Sequence, residues 1–278
     1  MSILIDYNQV FLSAIFSQGK NNINEDLVRH TVLSCTLSYK RHFGKEFGDL
    51  IFCADGIGNC WRKEVYPYYK ANRKKNRESS GIDWHPIFES LNKIREEIKE
   101  YLPYKLISIE TAEADDVISV VARKLDEPVL ILSGDQDFIQ LHKYPNIKQY
   151  APIQKKYVRH DDPELFLRVK ILSGDSGDGV PNILSDDDAI INPDKRQKPL
   201  RETRIKELLS ISVEDFEEPL KKNYYRNEKL INLIDFIPNH LEEKILYELN
   251  TQTPSRNKMM SYFMKNKLRL LLEDLTDF

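Results

Sequence analysis

Cysteine is nearly absent from this chain. Cys35, Cys53 and Cys60 are the only three in 278 residues. They are odd in number and lack His or Cys partners at zinc-ligand spacing. This excludes a disulfide framework and points to buried thiols in a reducing compartment. Long apolar runs are missing too: no stretch approaches the ~20 residues of a membrane span. A strand beginning at Ile3 leaves no room for a secretion signal, so a cytoplasmic protein without a membrane partner is expected. Nor is there an excess of one charge, since 41 basic and 44 acidic residues give a net charge of −3. Composition therefore neither implies nor excludes a polyanionic partner, and the placement of charge must decide. No repeat or low-complexity tract occurs. His42, His85, His142 and His160 stand in unrelated contexts and offer no Ser-His-Asp grouping.

What is present is an alternation of short apolar strands and helical stripes. Strands are expected at 3–6, 49–54, 105–109 and 128–132, with helices at 24–43, 86–101 and 113–125. Segments 146–150 and 156–158 read as a closing antiparallel pair. This pattern predicts an α/β fold with a mainly parallel central sheet flanked by helices over residues 1–162. Beyond 162 the pattern is helical, with segments at 163–172, 201–209, 213–223, 227–234, 241–249 and 255–272. Residues 185–200 are polar, carry Pro193 and Pro199, and are expected to form a mobile loop. The stripe of Tyr262, Phe263, Leu268 and Leu270–Leu272 suits either core or a docking surface.

Acids fall repeatedly where the apolar strands end. Asp6 follows Ile3-Leu4-Ile5, Asp55 closes the second strand, and Asp135 and Asp137 follow the fourth. Glu113, Asp115 and Asp116 open a helix, and Asp175 and Asp178 lie in a later Gly-rich turn. Singly, each has an ordinary explanation as a turn former or a helix-dipole partner. Jointly, a parallel sheet would gather them along one edge, where carboxylates resist ionising unless cations neutralise them. Their neighbours are Ser, Gly and Gln, which favours hard Mg²⁺ or Mn²⁺ over zinc. So many carboxylates exceed the needs of one ion. Two ions about 3.5–4 Å apart suit an in-line phosphoryl displacement.

Residues 61–85 have no clean period and are strongly basic. Arg62, Lys63, Lys70, Arg73, Lys74, Lys75 and Arg77 face one acid, Glu64, with Trp61, Tyr66, Tyr68 and Tyr69 interleaved. A solvated helix is the bland reading. Unbalanced cations beside aromatics instead suit phosphates and stacked bases.

Together these motifs resemble the structure-specific 5′ nucleases, the flap endonucleases and 5′→3′ exonucleases, and most of all the ribonuclease H branch of T-even bacteriophages. The residues carrying the resemblance are Ile-Asp6, Cys-Ala-Asp55, Tyr-Tyr-Lys70-Ala-Asn-Arg73, Glu113-Ala-Asp115-Asp116, Ser-Gly-Asp135-Gln-Asp137-Phe and Gly-Asp175-Ser-Gly-Asp178-Gly-Val-Pro-Asn. The resemblance implies that Asp6, Asp55, Glu113 and Asp115 surround one Mg²⁺, supported by Asp116. It gives the second ion to Asp135, Asp137 and Asp178, with Asp175 nearby. Lys70 and Arg73 would engage the scissile phosphate, and Asp115 and Asp135 would be central to catalysis. Arg62, Lys63, Tyr69, Lys74, Lys75 and Arg77 would contact nucleic acid from an arch, and 163–278 would bind duplex backbone.

The implied activity is Mg²⁺-dependent cleavage of flaps, nicked or branched duplexes and RNA·DNA hybrids near a 5′ end, as in primer removal during phage replication. A monomer is expected, meeting a single-strand binding protein or a sliding clamp. The pattern departs from the family after Pro181, where many relatives carry a Gly-rich hairpin that grips duplex DNA, often with a monovalent ion. Lys195, Arg196, Lys198, Arg201, Arg204 and Lys206 could supply positive charge there instead. Two other readings are a non-catalytic protein that binds branched DNA and a small-molecule phosphatase. Asp6-Tyr7-Asn8 lacks the second acid of the phosphatase Asp-x-Asp nucleophile.

Overall fold

The structure is a computed structural model that describes residues 1–19 and 23–278. Its centre is a six-stranded sheet in the order β3-β2-β1-β4-β5-β6. The strands are β1 (Ser2–Asp6), β2 (Asp49–Cys53), β3 (Lys105–Ile107), β4 (Val129–Leu132), β5 (Ile147–Ala151) and β6 (Lys156–Val158). The first five run parallel and β6 pairs antiparallel with β5, as the strand pattern predicts. Alternate residues of β1 serve two cores. Ile3 and Ile5 pack on one face, under α1 (Tyr7–Ser17), α2 (Glu25–Phe47) and α5 (Trp84–Tyr101). Leu4 packs on the other, under α6 (Ala114–Lys124) and α10 (Asn239–Thr251). Both faces are apolar because helices cover both.

Helix α1 is absent from the sequence reading. No loop separates it from β1, because Asp6 ends the strand and also caps the helix, accepting a hydrogen bond from Gln9 N at 3.3 Å. Its buried residues Tyr7, Val10, Phe11, Ala14 and Ile15 form a regular helical stripe. Helix α6 begins with a reciprocal cap: Glu113 receives the helix backbone, while Glu113 N donates to Asp116 Oδ2 at 2.9 Å.

The basic segment forms two short helices, α3 (Arg62–Val65) and α4 (Asn72–Ser79), and α4 buries no side chain. The region after 162 divides in two. Helices α7 (Pro163–Ser173), α8 (Glu202–Leu209) and α9 (Leu220–Ile231) share a third core with Tyr66 and Tyr69. Helix α9 replaces the two expected segments, since Pro219 cannot continue an upstream helix and instead starts one. By contrast α10, α11 (Met259–Lys265) and α12 (Arg269–Leu272) clad the sheet. Tyr262, Phe263, Leu268 and Leu271 are core residues there, while Leu270 is 77% exposed. The helix expected over 255–272 is broken at Lys267, whose φ is +55°. Residues 185–200 contain neither helix nor strand, and Asn182 pins Gln197 and Lys198 of this stretch by hydrogen bonds of 2.9 Å. Among the described residues no helix is long and apolar enough to cross a membrane.

Candidate functional site

The strand order reverses between β1 and β4, and such a switch point opens a crevice at the carboxyl ends of the strands. Asp6 and Asp135 flank it. Ser133 Oγ donates to Asp6 Oδ2 at 2.9 Å, and Gly134 N donates to Gln9 Oε1 at 3.1 Å, which fixes the β4 turn against α1. Asp55 is held by Asn8 Nδ2 at 2.8 Å and by Ala114 N, at the start of α6, at 2.9 Å. One bidentate acid thus joins β2 to α1 and α6. Burial, then the facing Asp55 and Asp135, pushes Asp6 up to about 7 despite the Ser133 hydrogen bond. Burial, then the Asp135 charge, raises Asp115 well above the usual carboxylate range. Asp135 is also raised by burial, against the pull of Lys170.

Cations already occupy the other half of the site. Lys70 Nζ pairs with Glu113 and lies 3.6 Å from Asp178 Oδ2, while Arg73 Nη2 is 2.5 Å from Asp178 Oδ1. Lys170, at the end of α7, pairs with Asp137 and lies 3.0 Å from Asp175. Lys70 has φ +57°, a region non-glycine residues rarely occupy. Its backbone N–H donates to Asp178 O at 2.7 Å. The basic segment around α3 and α4 bridges the site and fits closely on the 174–180 turn: a Cβ on Gly179 would lie 3.1 Å from Tyr68 O, while within the turn one on Gly174 would collide with Val180 O at 2.4 Å. Above the acids the bridge walls a cleft of about 630 Å³, lined in part by Lys63, Lys70, Arg73, Lys74 and Arg77.

A buried network anchors the bridge. Arg62 is 1% exposed. Its Nη2 donates to Asp116 Oδ1 at 2.7 Å, its Nη1 to Asp116 Oδ2 at 3.0 Å and Glu113 Oε2 at 2.9 Å, and its Nε to Leu230 O at 2.9 Å. Trp61 Nε1 adds a 3.1 Å bond to Asp116. Glu113 is buried, which alone would raise its pKa, yet Lys70 and Arg62 hold it down to about 2.

Comparison with known proteins identifies this architecture. Residues 2–170 match the N-terminal resolvase-like domain of the 5′-3′ exonucleases, and residues 161–278 match the C-terminal domain of T4 RNase H. Over 99% of its length the chain is 35% identical to the ribonuclease H of enterobacteria phage T4, covering 95% of that protein. The chain belongs to the 5′-3′ exonuclease family. It is a nuclease. Flap endonuclease Xni of Shewanella sp. strain MR-4 is 34% identical over 46% of this chain, which spans half of that protein. The T5 5′-exonuclease with bound zinc ions shares the fold, with a TM-score of 0.59 at 17% identity over 97% of this chain and 99% of that one.

Against this family background, several expected site residues need correcting. Asp116 is fully buried and bonded to Arg62, Trp61 and the Glu113 backbone, so it stands behind Glu113 in a supporting position and is not itself open to the cleft. Arg62 is an internal counter-ion, inaccessible to a phosphate. Tyr69 is 3% exposed, and its hydroxyl lies 2.9 Å from both Glu113 and Asp178, which leaves no ring face for a base. Trp61 and Tyr66 are buried as well. Lys75 is exposed but does not line the cleft. Lys195 is neutralised by Asp186 and Asp188, and Arg204 by Glu207.

Asp6, Asp55, Glu113, Asp115, Asp135, Asp137, Asp175 and Asp178 do share the sheet edge and the turn beneath the bridge. Among the described residues no three of them close into a ready-made cation cage. The donor set nevertheless fits a hard divalent ion. It is all carboxylate, and no Lys or Arg of the described residues lies within ion-pair distance of Asp6, Asp115 or Asp135. The residue missed in the sequence is Lys170. Its signal was its place in the last turn of a helix, immediately before Gly174-Asp175.

Two outcomes follow from these environments. Arg62→Ala should cost about 3–5 kcal/mol in urea unfolding, because Asp116 is left buried and unpaired. Any fall in DNA affinity should track only the unfolded fraction, and a selective loss of affinity in fully folded protein would contradict the anchoring role. Asp6 carries an extra proton in the folded state between about pH 4 and 7, so metal-free protein should lose this stabilisation as pH rises through that window. Asn caps a helix as well as Asp. The Tm of Asp6→Asn relative to the unsubstituted protein, measured by calorimetry in EDTA, should therefore rise from pH 4 to pH 8, and a flat difference would refute the shift.

Proposed function

We propose that the chain is a Mg²⁺-dependent nuclease, with Mn²⁺ able to substitute, that cuts RNA·DNA and DNA·DNA duplexes and flaps near a 5′ end. The observation that carries this reading is the group of acids with no cation at ion-pair distance, the buried Asp6 and the half-buried Asp115 and Asp135, beneath a bridge of cations. Likeness to T4 ribonuclease H along almost the whole chain supports the same substrates. Asp6, Asp55, Glu113 and Asp115 would hold one ion, and Asp135, Asp137, Asp175 and Asp178 a second. When bound, such ions supply an activated water and neutralise charge on the attacked phosphate.

The remaining work falls to side chains of this protein. Lys70 and Arg73 face the cleft from a fixed backbone, so they can orient the scissile phosphate and stabilise charge building on its oxygens. Lys63, Lys74 and Arg77 line the same cleft and suit a phosphate backbone. Glu113, held ionised by Lys70 and Arg62, keeps a fixed negative charge at the site near neutral pH. Residues 163–278, chiefly the turn after Gly174 and α7–α9, would carry the duplex. In the cell we assign the chain to primer removal from lagging-strand fragments in phage replication, as a monomer in the host cytoplasm. Its exposed Met260, Met264 and Leu270 offer a place for a single-strand binding protein or a sliding clamp.

Digestion of a 5′-labelled RNA-primed duplex and of a flap, each with Mg²⁺ and with EDTA, tests this reading. Product requiring Mg²⁺ is expected, and its absence would leave a non-catalytic binder of branched DNA. Asp135→Asn should lower the single-turnover rate by about 10³-fold or more while DNA affinity stays equal or improves; unimpaired turnover in Mg²⁺ would remove Asp135 from the site. Lys70→Ala should slow single-turnover cleavage by about 10²–10³-fold with a smaller loss of binding, and an unchanged rate would rule out its role.

A further inference from the structure

The acids of the site are not alike. Asp6, Asp115 and Asp135 have no Lys or Arg within ion-pair distance among the described residues, Glu113 and Asp178 both face Lys70, and Asp137 and Asp175 share the ammonium of Lys170. We propose that Lys170 is a resident counter-cation that the second divalent ion must displace, so that this ion binds more weakly than the first. The inference rests on the metal-dependent reading above.

The geometry favours it in three ways. Lys170 is held at the backbone, its carbonyl accepting from Gly174 N at 2.8 Å, so its ammonium is delivered to the turn that carries Asp175. Its side chain is 17% exposed, and those of Asp137 and Asp175 are 15% and 23% exposed, so solvent screens the pairs little. Asp137 and Asp175 both lie on this one ammonium, so a single side chain holds two carboxylates of the site. A divalent ion on the same oxygens would place like charges a few ångströms apart. The flexible four-carbon lysine stem can turn away at modest cost.

Isothermal titration of Mn²⁺ into the metal-free full-length protein, compared with Lys170→Met, tests the idea. The unsubstituted protein should show a tight event and a second that is much weaker or undetected. Lys170→Met should tighten that second event by about tenfold or more, and Lys170→Arg, which keeps the charge, should leave it within about threefold. Lys170→Met should also melt lower than the unsubstituted protein in EDTA and gain more from added Mn²⁺. Far-UV circular dichroism checks folding, and Lys170→Gln replaces the Met variant if that does not fold. A second event unchanged or weakened in the neutral variants would overturn the role of Lys170 while leaving metal dependence intact. No Mn²⁺ binding to any of these proteins would instead overturn the metal-dependent reading itself.

Discussion

The buried guanidinium of Arg62 is the contact on which the rest of the site depends. It satisfies both oxygens of Asp116 and one of Glu113 at the start of α6, and the Leu230 carbonyl at the end of α9. One side chain therefore ties the foot of the bridge to the helix beneath the sheet and to the helical half. A charge this deep is stable only when fully paired, and here its partners come from the start of α6 and the end of α9. Its chain neighbours Cys60 and Val65 pack against two of the three cores, so the foot of the bridge joins them.

Around that anchor the site divides by its counter-charges. On the β1–β4 side the carboxylates are packed together and repel, and burial raises the pKa of Asp6, Asp115 and Asp135. On the 174–180 side ammonium and guanidinium groups neutralise them. A parallel sheet delivers the first group automatically, since strands that run the same way end on the same edge. The second group needs the chain to return through α7 and a tight turn, with Gly174 and Gly179 permitting the close approach.

The sheet and the acidic edge were legible in the sequence because both follow from period and position. Apolar runs ending in Asp6, Asp55 and Asp135 give strands and place the acids with no further information. Helix α1 escaped because Asp6 serves two elements and no turn residues mark the junction. Charge misled at Arg62 and Asp116: a basic residue in a basic stretch reads as surface, and only the fold reveals a partner 54 residues away. Tyr69 misled for the same reason, since aromatics beside cations suit bases as well as a core. Asn223 and Asn227 look like ordinary polar positions, yet both are buried and donate to carbonyls of the 171–185 segment. Such long-range satisfaction of backbone groups leaves no local signature.

Helix α4 buries none of its eight residues. A helix that short, with no apolar face, is marginal in water on its own. Its contacts lie at its ends: Asn72 Nδ2 reaches Ser176 O at 2.8 Å and Arg73 reaches Asp178, while Arg77 lies over the Phe88 ring and Trp84 Nε1 donates to Ser80 Oγ at 2.9 Å. The first turn of this helix is thus anchored on the acid-bearing turn below it. Hydrogen exchange along residues 72–79 would then report the electrostatic state of the whole centre, making this segment its built-in gauge.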